Sequence, residues 1–311
     1  MKKFTKIVIM VMAIFLLTGC TRMLRDEDNN VVQNPETNQN LARNILCQPT
    51  DSYVRELYEE NNINLEELPE CQDLTVVGSG DDGLWTNVFI KPLATIIINI
   101  YSVVGNIGLG IILTAILLRI VFIPLTKKTA LQSEHMKNAK PELDALNKKF
   151  KGKTDQESMM KKNQQMMAIY KKHDVNPITG CLAAFIQLPI FLAFFETINR
   201  VPALFEGSFL SLNLGMTPLR GILDGNLLYL VLVILMAVVT YYSFNFSRQD
   251  MMPGSNPILN KNMMYILLGF IVLASFNFAT AILLYWITSS AFTVAQNKWV
   301  ARGRGKKDGK E

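Results

Sequence analysis

The sequence predicts an all-α integral membrane protein: a five-helix transmembrane core, an outer amphipathic interfacial helix and a cytoplasmic helical hairpin. Three observations carry this. Half of the 311 residues are apolar and the mean hydropathy is +0.20, too high for an ordinary soluble domain. The apolar residues gather in runs of about 20, the length that crosses a hydrocarbon core of about 30 Å. The charges are also segregated. Residues 21–85 hold 14 Asp or Glu, four Arg and no Lys; 126–175 hold 12 Lys against six acids; 298–311 hold six Lys or Arg against two acids. That division fits two compartments on either side of a membrane.

Residues 1–19 read as a cleaved signal peptide, with Lys2, Lys3 and Lys6 before an apolar stretch from Ile7 to Leu17. The stretch closes on Leu17-Thr18-Gly19-Cys20, which resembles the bacterial lipobox. Cleavage there makes Cys20 the lipidated N-terminus on the outer face. Residues 20–83 then read as an acidic, Asn-rich extracellular spacer with little core. Cys47 and Cys71 lie in it, and a disulfide and two free thiols are both open. In 84–106, Asn87, Lys91, Thr95, Asn99, Ser102 and Asn106 recur every three or four residues opposite an apolar face. That pattern is an amphipathic helix, placed flat in the outer interface.

The core, 107–297, holds five apolar spans at about 107–125, 177–197, 226–247, 263–276 and 279–297, with a turn at Ser275 and Asn277. The Lys-rich loop and the basic tail 298–311 both belong on the cytoplasmic side, and five spans satisfy every loop. The loop 126–175 reads as a helical hairpin. Met136, Ala139, Leu143, Leu146 and Phe150 share one face of its first helix, which Pro141 is placed to kink, and Lys151-Gly152-Lys153 makes the turn. Thr154 and Glu157 resemble a capping box for a second helix rich in Met. His135 and His173 read as solvated.

Arg119 stands among apolar neighbours in the first span. A cation in hydrocarbon costs roughly 3 kcal/mol or more, so it needs a wet cavity, a partner or an escape to the interface. Polar groups on other spans suit a shared cavity: Gln187, then Thr240 with Tyr241, Tyr242, Ser243 and Asn245, then a stripe of Trp286, Ser289, Ser290, Thr293, Gln296 and Asn297. Each stripe alone is ordinary interhelical glue. The sequence offers no Ser/His/Asp set, metal cluster or phosphate-binding Gly loop, so neither enzyme chemistry nor a cofactor is expected.

The run Ile169-Tyr170-Lys171-Lys172-His173-Asp174-Val175-Asn176-Pro177-Ile178-Thr179-Gly180-Cys181, continuing through Gln187-Leu188-Pro189-Ile190-Phe191, resembles the entry to the second core helix of the YidC/Oxa insertase family. Arg119 before Ile123-Pro124-Leu125, and Leu284-Tyr285-Trp286 with Gln296, match the same family in order and spacing. The resemblance covers about 84–300, and the leader is similar to the Gram-positive lipoprotein type. The acidic segment departs from the pattern, as does Asn277-Phe278-Ala279, where a Pro or Gly would be expected. The resemblance implies a membrane insertase with a positively charged groove open to cytoplasm and lipid. Its client-binding residues would be Arg119, Gln187, Trp286, Thr240, Ser290 and Thr293. The partners implied are nascent membrane proteins, the Sec translocon, anionic lipids and, through the tail, the ribosome, with no DNA. The location implied is the plasma membrane, multi-pass, with the lipid-anchored N-terminus outside and the C-terminus cytoplasmic. The competing class is a small-solute transporter or channel with an arginine-lined cavity.

Overall fold

Helices dominate the computed structural model, which describes residues 21–75, 83–153, 155–246 and 257–305. The leader, Cys20, Thr154 and positions 306–311 of the tail lie outside the described residues. The helices are α1 (Ser52–Glu60), α2 (Gly83–Val104), α3 (Ile107–Val121), α4 (Ile123–Lys149), α5 (Gln156–Lys172), α6 (Pro177–Arg200), α7 (Pro218–Leu223), α8 (Leu228–Phe246), α9 (Pro257–Ser275) and α10 (Thr280–Gly305). Two short hairpins accompany them: β1 (Gln33–Asn34) with β2 (Gln39–Asn40), and β3 (Ser208–Phe209) with β4 (Leu212–Asn213). Among the described residues, Gly83–Val104 and Leu228–Asn245 are long and apolar enough to cross a membrane, and Ile107–Val121 and Met264–Ser275 are shorter apolar helices.

The chain divides into two units. The first comprises Met1–Ala115, Ile190–Val233 and Ser275–Trp286. Here the acidic N-terminal segment is a folded cap, not a spacer with little core. Leu24, Leu41, Ala42, Ile45, Val54, Tyr58, Leu65 and Phe205 form one buried cluster. β1 and β2 pair in antiparallel register, Gln33 with Asn40. Asp51 caps α1 by accepting from the Tyr53 and Val54 amides at 2.9 and 3.0 Å. α1 then turns Val54 and Tyr58 inward, and burial, with a smaller push from Glu206, raises the Tyr58 hydroxyl well above its ordinary pKa. So small an apolar cluster is stapled twice over. Cys47 and Cys71 form a disulfide closing a separation of 24 residues. The loop after α6 supplies Phe205 to the core, while Glu206 accepts from the Thr50 amide.

The disulfide should be worth about 3 kcal/mol by loop-closure entropy. The Cys47→Ser, Cys71→Ser double variant is therefore expected to speed amide exchange throughout 33–65 while leaving α4 and α5 unchanged. Hydrogen exchange read by mass spectrometry checks this. Unaltered exchange in the cap would show that the interlocked loop alone holds it.

α2 contains a π-helical turn at Thr86–Ile90 and ends on Gly105, whose φ of +70° a side chain would resist. Its polar seam is not uniformly outward. Lys91 is only 6% exposed, and the Thr95 hydroxyl bonds the Lys91 carbonyl at 2.9 Å.

The second unit comprises Ile116–Pro189, Ile234–Ala274 and Ile287–Glu311. Its helical hairpin is α4 and α5, which bury Met136, Ala139, Leu143, Leu146 and Phe150 against Met166, Tyr170 and Val175. α4 runs continuously through Pro141. The cap of α5 is Asp155, whose carboxylate accepts from the Ser158 amide at 2.8 Å; that bond holds its pKa below the usual range. The two histidines are engaged rather than solvated. His135 Nδ1 lies 2.9 Å from the His173 carbonyl, and His173 Nε2 lies 2.9 Å from Glu142. Lys172, then His173, hold the Glu142 carboxyl below its ordinary pKa. Gln132 bonds the Asn176 amide at 2.8 Å and the Asp174 carbonyl at 3.3 Å, fastening the elbow between α5 and α6.

Candidate functional site: an arginine held between three helices

α3 stops where its sequence makes it stop. Pro124 has no amide to continue the hydrogen-bond ladder, and Phe122, at φ −86° and ψ 0°, breaks the rod before α4 begins. Arg119 thus sits in the last turn of α3, where the free carbonyl ends of the helix favour a cation. It is half-buried.

The guanidinium reaches two other helices of the same unit. Its Nη2 donates to Gln187 Oε1 of α6 at 2.6 Å, and its Nε donates to Ser289 Oγ of α10 at 3.0 Å, with Nη2 also on that hydroxyl. Gln187 stands two residues before Pro189, which removes one backbone bond from that turn of α6. Ser289 is 2% exposed. Both of these acceptors are neutral, and the bonds fix the direction in which the guanidinium points.

A second rung lies one heptad further along. Gln296 Nε2 of α10 donates to Thr126 Oγ1 of α4 at 2.8 Å. Thr126 follows Arg119 by seven positions and Gln296 follows Ser289 by seven. The chain from α3 into α4 therefore runs in the same direction as α10, with rungs roughly 10 Å apart at the helical rise.

Of the six residues expected at the site, the structure joins Arg119 directly to Gln187. Thr293 is linked through the main chain, its hydroxyl donating to the Ser289 carbonyl at 3.0 Å. Ser290 is half-buried beside Ser289. Thr240 is 1% exposed and donates within α8 to Met236 Sδ at 3.5 Å. Trp286 lies edge-on to Phe191 at 4.9 Å in the first unit, where Phe194 stacks on Tyr285 at 4.0 Å. Ser289 and Thr126 were not singled out from sequence. Ser289 stood in the polar stripe, but only its partner 170 positions away sets it apart.

The first unit holds another arginine that sequence reasoning missed. Arg200, 3% exposed at the end of α6, donates to the Asn44 carbonyl at 2.8 Å and to the Thr86 hydroxyl at 2.9 Å. Its own carbonyl accepts from the Leu46 amide at 2.8 Å, and Glu196 lies 3.7 Å away. One side chain thus ties α6, α2 and the cap together.

Apolar helices around an oriented cation define an α-helical membrane protein with a charged polar site. The chain matches the family model described as "60Kd inner membrane protein" over residues 99–308. It is 34% identical over 216 residues to the membrane protein insertase MisCA of Bacillus subtilis, covering 68% of this chain and 77% of that one. It is 31% identical over 240 residues to the membrane protein insertase YidC of Oceanobacillus iheyensis, covering 74% and 88%. It is 34% identical over 223 residues to YidC 1 of Streptococcus agalactiae, covering 71% and 76%. The chain belongs to the YidC/Oxa membrane protein insertase family.

Proposed function

We propose that this protein inserts other proteins into the membrane by holding the polar outer segment of a client in a hydrated groove around Arg119. The observation that carries the reading is a cation within an apolar helix, its guanidinium aimed by hydrogen bonds to Gln187 and Ser289 on two other helices. Moving a polar segment through lipid is slow because each desolvated polar group costs several kcal/mol. A positively charged, wet recess lowers that barrier for an acidic segment, and the client's apolar part then passes sideways into lipid. No nucleotide site is required.

The reading includes five spans, with α2 in the outer interface, the cap outside, and hairpin and tail in the cytoplasm. The matching direction of the α3–α4 run and α10 supports it, since the first and last spans must both pass from outside to inside. It also includes lipidation at Cys20, placing the protein in the plasma membrane with its N-terminus anchored outside. Nascent membrane proteins are the clients, alone or beside the Sec translocon. The Lys-rich hairpin and tail suit anionic lipids and, through the tail, the ribosome.

Depletion of the protein followed by proteomics of membrane fractions tests the function. Selective loss of small membrane proteins is the expected result. Unchanged membrane protein levels with altered solute flux would replace this reading with a transporter.

A further inference from the structure

We propose that the β3–β4 hairpin inserts the side chain of Leu210 shallowly into the outer leaflet of the membrane. The two strands are joined by Leu210 and Ser211, whose φ angles are +48° and +64°. Two consecutive left-handed residues make the tight turn that strand twist prefers, but that turn favours Asn and Gly. Leucine pays a steric penalty there, and inside the protein it gains little, being 74% exposed. In water an asparagine would serve better.

The hairpin is rigidly held. A Cβ on Gly108 would overlap Phe209, and one on Gly207 would overlap Ile107, so both glycines permit a close approach to the first turn of α3. Asn106 joins the same junction, its side-chain oxygen capping the Leu109 amide at 3.1 Å and its nitrogen donating to the Ser208 carbonyl at 3.3 Å. The apex is thus fixed beside the start of an apolar helix on which Leu109 and Leu113 are each 40% exposed, one turn apart.

Lipid is the occupant the surroundings favour. The helix against which the hairpin is held presents exposed leucines of its own, Leu109 and Leu113. Residues 207–219 contain no charged side chain, although 21–85 carry 14 acids. Ser208 and Ser211 flank the apex with hydroxyls suited to the headgroup layer. The proposal rests on α3 crossing the membrane with its N-terminus outside.

The test uses the full chain reconstituted in vesicles as Leu210→Trp, with the fluorescence of the parent subtracted. Brominated lipids quench tryptophan at the depth of the bromine. Bromine placed high in the acyl chain is expected to quench several-fold more than bromine near the bilayer centre, while aqueous iodide quenches weakly. Glu59→Trp on the cap should show the reverse, and Leu113→Trp should favour the deeper bromine. Strong iodide quenching at 210 with no lipid effect overturns the proposal, as does shielding that vanishes when the protein is diluted among vesicles, which would mark a second copy. If Leu113→Trp also reports water, the placement of α3 fails, and the proposal with it.

Discussion

Replacing Arg119 by alanine is expected to slow insertion of a client with an acidic outer segment by about 10- to 100-fold. Each 1.4 kcal/mol or so of lost barrier stabilisation is a factor of ten, and a hydrated charge–charge contact is worth a few kcal/mol at most. A matched client with neutral outer residues should be slowed far less. Arg119→Lys should keep much of the activity, because the charge remains although the planar fork that reaches both Gln187 and Ser289 is lost. Gln187→Ala and Ser289→Ala should cost only a few-fold, since they aim the charge without supplying it. The measurement is insertion of the client pair into vesicles holding each variant at equal folded amount. If Arg119→Ala inserts the acidic client as fast as the parent, the charged-groove mechanism does not operate in this protein.

Much of this site was readable from sequence because its signal is local. A cation amid apolar residues stands out whatever the fold, and so does Gln187 in its apolar helix. The first hairpin helix was legible for the same reason: Met136, Ala139, Leu143, Leu146 and Phe150 follow helical spacing and are all buried. What sequence hid was long-range. Ser289 is one hydroxyl among several in its stripe until Arg119 selects it. The cap was misread because its apolar residues follow no helical or strand period, and because its core is completed by Phe205, far along the chain. In sequence the histidines look solvated because charge-rich loops are solvated on average. Here the fold of α5 against α4 brings Glu142 to His173 across 31 positions.

Arg200→Ala is expected to destabilise the first unit by roughly 3–5 kcal/mol, the range for removing one partner from a buried charged network. The change strips the donors from the Asn44 carbonyl and the Thr86 hydroxyl and leaves Glu196, 7% exposed, without its neighbouring cation. The cap should become protease-sensitive at lower temperature than the parent, while the α4–α5 hairpin keeps its resistance. Arg200→Lys should fall between, because an ammonium cannot reproduce the fork that serves two acceptors on different elements. Limited proteolysis in detergent over a temperature ramp reads both. An Arg200→Ala cap as resistant as the parent's would assign the docking to apolar packing, the Glu206–Thr50 contact and the main-chain bond from the Leu46 amide to the carbonyl of residue 200.

The paired rungs at Arg119–Ser289 and Thr126–Gln296 carry a geometric consequence. One hydrogen bond lets neighbouring helices swivel and slide; two, spaced a heptad apart, fix both rotation and offset. Arg119 is thereby clamped at a set depth, and in the proposed mechanism the charge becomes a ruler. An extended client segment covers about 3.3–3.6 Å per residue. The distance, counted in residues, between a client's acidic group and the start of its apolar stretch then decides whether that stretch meets lipid or falls short of it.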